Sequence, residues 1–313
     1  MYVTVAISES LGVEHEVELA RGRVRYRDTG GAGPVVVFVH GLLVNADLWR
    51  RVAPAVASAG ARCLAPDWPL GSHEIPMPDA DLTPLGVAAL IGEFLERLDL
   101  REVTLVANDT GGGLTQLLMA RRPERVARVV LTPSDSLDYF FPPLFAYLPW
   151  LARIPGGLWL MLRPAIWTLA GRLPFGFGAL AKHRLDPAVL ASWAGPGRRD
   201  PAVRADTRRF LRAVDRRDTL AAAEELHRFD RPVLLVWSWE DRVFPISLAH
   251  RLAERLPRAR VVGIGDSRTF VPEDQPDRLV DEIVEFLREH RALPAAPPGP
   301  AVPEQVAPST QPG

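Results

Sequence analysis

A single cysteine, Cys63, stands in the 313 residues, which excludes an intrachain disulfide and a cysteine-built zinc site. Lysine is as scarce: Lys182 is the one lysine among 37 Lys plus Arg, so nearly every cation is an arginine. An excess of charge is missing too. With 37 basic against 38 acidic side chains, a net charge of −1 and a pI near 6.7, there is neither a basic stripe for nucleic acid nor an acidic tail. The default partner is then a small, uncharged molecule. No apolar run reaches the roughly twenty residues needed to cross a bilayer. Met1-Tyr2-Val3-Thr4 lacks the basic and apolar regions of a secretion signal. The expectation is a cytoplasmic protein without a membrane span. Apolar residues are abundant at 47%, enough to fill the core of one large α/β domain.

The chain is organised around Val103-Thr104-Leu105-Val106-Ala107, a β-branched run that stops at Asn108-Asp109-Thr110-Gly111-Gly112-Gly113 and restarts as the helix-like Leu114-Thr115-Gln116-Leu117-Leu118-Met119-Ala120. A strand that turns into a helix within a few residues needs small neighbours at the bend, because side chains there collide with adjoining backbone. Ala107, Gly111 and Gly112 meet that need and leave Asp109 at the tip, beside a helix N-terminus that favours negative charge. As a cap for the next helix, the same aspartate has an ordinary structural reading.

Before this bend, Val17, Leu19, Val24 and Tyr26 alternate as a hairpin turning near Arg21-Gly22. Val35-Val36-Val37-Phe38-Val39 is the continuous apolar run of a strand buried on both faces, ending in His40-Gly41-Leu42-Leu43. A strand at Cys63 to Asp67 leads into a loop that holds His73, and a helix from Thr83 to Leu98 starts with a Thr-Pro cap. Further strands follow at Arg125 to Thr132, from Arg231 onward and at Ala259 to Ile264, with a last helix from Asp277 to Leu287. Strands alternating with helices imply βαβ units and a mostly parallel sheet, with the site at the carboxyl ends of the strands. Trp49 reads as core.

The Asp109 bend, the His40-Gly41 loop and this βα order resemble the α/β-hydrolase superfamily, in the branch that carries aspartate where esterases carry serine: the haloalkane dehalogenases and epoxide hydrolases. The resemblance covers about Val17 to Leu287. It implies an α/β-hydrolase fold with Asp109 as nucleophile, ionised near neutral pH. The Leu42 and Thr110 amides then face the reacting centre from the Gly41 turn, with His40 packing and hydrogen-bonding rather than catalysing. Asp241, in Trp239-Glu240-Asp241-Arg242-Val243-Phe244-Pro245, matches the acid that orients a catalytic histidine. The resemblance further implies core residues 1–133 and 218–291 with a helical cap at 134–217, which shapes an apolar pocket from which Tyr139, Tyr147 and Trp150 are the candidate contacts. Residues 292–313, rich in Pro and Ala, read as a disordered tail.

Three positions depart from the family pattern. The histidine expected after the last strand is Thr269, in Gly265-Asp266-Ser267-Arg268-Thr269-Phe270-Val271-Pro272-Glu273-Asp274, and no histidine lies between His250 and His290. Haloalkane dehalogenases have Trp after the nucleophile where this chain has Thr110. Epoxide hydrolases have an aromatic and a proline after His-Gly, where this chain has Leu42-Leu43. A threonine hydroxyl does not take a proton at neutral pH, so the alkyl-enzyme ester formed on Asp109 should hydrolyse slowly unless another base, for which His73 is the sequence candidate, serves. The expected function is thus an Asp-nucleophile hydrolase of a small apolar epoxide or alkyl halide, without cofactor or metal. The alternatives are a cofactor-free lyase or isomerase using Asp109 as acid/base, and a non-catalytic ligand-binding member of the fold.

Overall fold

The computed structural model describes residues 9–163, 166–167, 169, 173 and 176–294. Its centre is one eight-stranded sheet in the order β1-β2-β4-β3-β5-β6-β7-β8. The strands are β1 (Val13–Leu19), β2 (Gly22–Asp28), β3 (Val35–Val39), β4 (Arg62–Pro66), β5 (Val103–Asp109), β6 (Val126–Ser134), β7 (Val233–Ser238) and β8 (Ala259–Ile264). The expected hairpin is β1 and β2, paired antiparallel with Leu19 opposite Gly22. β2 also runs antiparallel to β4, and from β4 through β8 every pairing is parallel.

β3 lies between β4 and β5, so the chain leaves it toward one edge and later crosses back to the other. Such a switch point opens a crevice at the carboxyl ends of the strands, because neighbouring connections depart on opposite faces. Gly41 and Asp109 both fall there. All seven residues of β5 are buried, as befits a central strand covered on both faces.

The helices that cover the sheet follow their sequence signals. α1 spans Ala53–Ser58 and α2 spans Pro84–Arg97, with Pro84 in its first turn and the Thr83 hydroxyl accepting from the Gly86 N–H at 3.0 Å. α3 (Thr110–Arg121) starts directly after β5 and packs between α2 and a later helix, α9, so that Thr110 through Met119 are all buried. Between β6 and β7 the chain is helical: α4 (Tyr147–Leu151), α5 (Gly157–Met161), α6 (Phe177–Leu180), α7 (Pro187–Arg199), α8 (Pro201–Ala213) and α9 (Arg216–Glu225). After β7 come α10 (Ile246–Ala253), α11 (Val271–Asp274) and α12 (Pro276–Glu289).

Three boundaries differ from expectation. β6 runs on to Ser134 because that residue pairs with Asp109 across the sheet. α9 contains position 218 and lies against α3, so the return to the core begins before it. Ala292 and Leu293 are tied back to the Leu287 carbonyl, and Leu293 is buried, because its apolar side chain packs on the core. The first residues expected in a tail thus belong to the folded body, and residues 295–313 lie outside the described residues.

Candidate active site

The bend at Asp109 is backbone strain made visible. Its φ of 54° and ψ of −133° put a non-glycine residue in a sparsely populated region, at the junction where β5 becomes α3. Such geometry persists only where the surroundings enforce it, and the glycines on either side show how. A Cβ on Gly111 would sit 2.4 Å from the Val39 carbonyl oxygen, and one on Gly112 would sit 2.3 Å from the Ser134 side chain. β3 and β6 therefore approach the first turn of α3 so closely that only hydrogen fits.

Opposite the bend, the turn after β3 meets the Asp109 carboxylate. Oδ2 accepts the Leu42 N–H at 3.2 Å, and the Thr110 N–H also hydrogen-bonds this carboxyl group. A Cβ on Gly41 would lie 2.2 Å from the same oxygen, so glycine is required for the loop to come this near. Asp109 is 9% exposed. Burial pushes its carboxyl up to about 7, with the Thr110 and Leu42 amides pulling the other way and the charge of Asp241 adding to the rise. The sequence expectation of a fully ionised aspartate is corrected here: a carboxyl stripped of water with only two amides to compensate holds its proton to near neutrality.

Asp241 follows β7 and is itself fixed. Its Oδ1 accepts the N–H groups of Val243 at 2.7 Å and Phe244 at 3.0 Å, and its Oδ2 accepts the Thr269 hydroxyl at 2.7 Å. Burial raises this carboxyl to about 6 against those bonds. Thr269 is fully buried and its carbonyl accepts the Asn108 amide at 2.7 Å, which ties the loop after β8 to the residue preceding Asp109. Threonine thus stands in contact with Asp241, and its one hydroxyl proton is already donated to that carboxyl.

His40 is wholly buried: its Nε2 accepts the Trp68 N–H at 2.8 Å, which leaves Nδ1–H to donate to the Gly41 carbonyl at 2.9 Å. Burial lowers its pKa to about 4, so it is a neutral brace for the Gly41 turn. His73 is in the wrong place to be a base. Its Nδ1 accepts the Gly71 N–H at 3.3 Å, its Nε2 faces Asp206 of α8 at 3.1 Å, and it does not line the space beside Asp109. With both ring nitrogens committed, it fastens α8 to the loop after β4.

The cavity above Asp109 is apolar. Leu42, Leu43, Phe141, Phe145, Tyr147, Leu148, Met161, Trp167, Phe177 and Leu180 line it with Asp109, enclosing about 70 Å³ open to a water-sized molecule. One water needs roughly 10–15 Å³ on this measure, so a ligand of a few heavy atoms fits without movement. The expected contacts divide: Tyr147 lines the cavity, whereas Trp150 is 62% exposed and Tyr139 pairs with Ser136 away from it. Trp150 sits on the outward side of α4, whose buried residue is Leu148.

One site residue escaped the sequence reading. Asp135, just past β6, is fully buried, and neither carboxyl oxygen has a hydrogen-bond partner among the described residues. Burial and then the nearby Asp109 charge drive its pKa well up, with the adjacent Thr110 hydroxyl opposing. The signal was an acid in Thr132-Pro133-Ser134-Asp135 at the carboxyl end of the strand beside β5, the same edge as Asp109. Among the described residues no group of three or more His, Cys, Asp or Glu is arranged to hold a metal ion. The arrangement supplies a carboxyl poised near neutrality, two amides aimed at it and an apolar void.

Known proteins are similar to this chain. A haloalkane dehalogenase of Mesorhizobium japonicum is 27% identical over 284 residues, covering 88% of this chain and 91% of that one. Haloalkane dehalogenase 2 of Mycobacterium tuberculosis is 28% identical over 280 residues, covering 85% and 92%. Among solved structures, haloalkane dehalogenase DbeA of Bradyrhizobium elkani superposes with a TM-score of 0.74 at 21% identity, covering 90% of this chain and 99% of that one, a likeness of fold. Residues 34–276 match the family described as alpha/beta hydrolase fold. With the family match running from β3 to the start of α12, the chain belongs to the α/β-hydrolase fold family.

Proposed function

We propose that this protein is a hydrolase in which Asp109 attacks an sp³ carbon of a small apolar epoxide or alkyl halide held under a helical cap. The observation that carries this reading is the Asp109 carboxyl, strained into the bend, facing the Leu42 amide at 3.2 Å on one side and an apolar cavity on the other. A carboxylate oxygen forms a C–O bond to the substrate as the C–X bond breaks and its electron pair leaves with the halide, or with the epoxide oxygen. An epoxide oxygen then needs a proton, and we assign the donor role to Tyr147, which is among the residues lining the cavity. Burial raises the Tyr147 pKa, which keeps that phenol protonated.

Water next adds to the ester carbonyl carbon, the carbonyl oxygen becomes an oxyanion between the Leu42 and Thr110 amides, and collapse releases the alcohol and restores Asp109. This second step lacks its base. Thr269 donates to Asp241 and takes no proton, and general-base help is worth about 10²–10⁴-fold, so the ester accumulates. The fractional charge of Asp109 limits the first step as well: attack requires the ionised form, and its rate rises with pH through about 7.

Intact-mass measurement after incubation with small terminal epoxides and alkyl bromides tests the reading. An adduct that maps to Asp109 and vanishes in Asp109→Asn is expected. A second reading, a cofactor-free lyase or isomerase, is favoured by one observation: a carboxyl at about 7 beside a second buried, raised carboxyl, Asp135, suits acid/base work, for which no water-activating histidine is needed. No adduct across the panel, with product formed and lost in Asp109→Asn, selects it. Ligand-induced thermal shifts without any product select the binding role.

A further inference from the structure

From Tyr139 to Leu185 the chain contains no aspartate or glutamate, although 38 acids are spread over the 313 residues. The charges in that stretch are cationic, among them Arg153 and Arg163, both exposed. The same stretch carries most of the large apolar side chains that the fold leaves in water: Leu144, Tyr147, Trp150 at 62%, Trp159 at 47%, Leu160 at 54% and Leu169. Elsewhere among the described residues such exposure is confined to a few scattered positions, Val13, Leu220 and Trp239. A contiguous apolar patch on a soluble fold marks a contact surface, because leaving it hydrated costs free energy that ordinary surfaces avoid.

α4 and α5 both lean on α8, burying Leu148 and Leu158 toward the body, so Trp150, Trp159 and Leu160 project away from it. The Arg163 guanidinium lies 4.7 Å from the centre of the Trp159 ring. Tryptophan over arginine, with leucine beside it and no acid in the same stretch of chain, is the composition of a face that sits at the headgroup level of a bilayer, where rings enter the interface and cations meet anionic lipid. No described helix is long and apolar enough to cross a membrane, so contact is with the surface alone. Tyr147 belongs both to this face and to the cavity lining, which places the cavity mouth beside the patch.

We propose that the α4–α5 face docks on the surface of an anionic lipid bilayer. That a substrate then passes from the lipid phase into the cavity rests on the hydrolase reading; the docking does not. Flotation of the full chain with vesicles tests it, one set of phosphatidylcholine alone and one of equimolar phosphatidylcholine and phosphatidylglycerol. Binding to the mixed vesicles and little to the neutral ones is expected. Trp159→Ser with Leu160→Ser should weaken it ~10-fold or more. Arg153→Gln and Arg163→Gln should each weaken it about fivefold, and only on anionic vesicles. Far-UV circular dichroism and melting curves check that the variants stay folded, as expected for exposed positions. Asp109→Asn should float like the unaltered protein, so failure of the chemistry and failure of docking read out separately. Equal or absent binding to the two vesicles, or binding untouched by the Trp159/Leu160 variant, overturns the proposal. A stable dimer that this variant dissolves also overturns it and assigns the face to a second copy.

Discussion

Two buried aspartates in this protein are gripped in nearly the same way and end with opposite electrostatics. Asp241 has two backbone amides and the Thr269 hydroxyl, and burial raises it to about 6. Asp206 has the Met77 amide, the His73 ring and the Arg209 guanidinium, and stays below the usual carboxylate range even though burial works the other way. Two amides and a neutral hydroxyl do not offset the near-complete desolvation of Asp241, whereas the His73 ring, the Met77 amide and the Arg209 guanidinium together outweigh the smaller desolvation of Asp206. The chain therefore possesses an imidazole–carboxylate pair, but at the seam between α8 and the β4 loop, while the acid at the carboxyl ends of the strands has only threonine.

Exchanging the partners breaks that contrast most sharply. Thr269→His places an imidazole against Asp241 and should raise turnover of an epoxide or halide by about 10²–10⁴-fold, read as steady-state product release and loss of the accumulated Asp109 adduct. An unchanged rate in a folded variant removes Asp241 from the proposed mechanism.

The raised Asp109 carboxyl gives the next effect. Its folded pKa of about 7 lies above the unfolded value near 4, so the folded state holds an extra proton between those limits and loses stability as pH climbs through them. Asp109→Asn has no such loss, and its advantage in denaturant melts should grow from pH 5 to pH 8, by on the order of 2–4 kcal/mol. A constant difference across that range means the carboxyl titrates normally.

His73→Ala should cost about 2–3 kcal/mol of stability by leaving Asp206 short of a buried partner, and should leave the rate of Asp109 adduct formation unaltered. A fall in that rate in the folded variant returns His73 to the site. Smallest is Tyr147→Phe, which should slow adduct formation ~10-fold with epoxides and leave alkyl halides untouched, because only the epoxide oxygen requires a proton.

Position 269 shows how far the chain alone can be read. The local pattern of strand, loop, Phe270 and the acidic turn located it, since such signals sit within a few residues of each other. The same holds for Asp109, whose glycine neighbours follow from backbone sterics. Trp150 and His73 went the other way. An aromatic residue in an aromatic-rich segment has no local mark for which side of a helix it takes, and α4 turned Trp150 to solvent. His73 met Asp206, 133 positions on, through a contact no spacing encodes. Asp135 was invisible for a like reason: its pKa depends on what surrounds it, and a single acid after a strand is common.

The succession of strands along the chain, the bend at Asp109 and the absence of histidine at 269 were determined by the sequence itself, because periodicity, glycine sterics and residue identity act locally. Tertiary structure alone decided the raised carboxyls of Asp109 and Asp135, the neutral bracing role of His40 and which aromatic residues close the cavity. Each of these is a matter of how much water is removed and which distant group takes its place, and that is settled only when β3, β5, β6 and the helices between β6 and β7 come together.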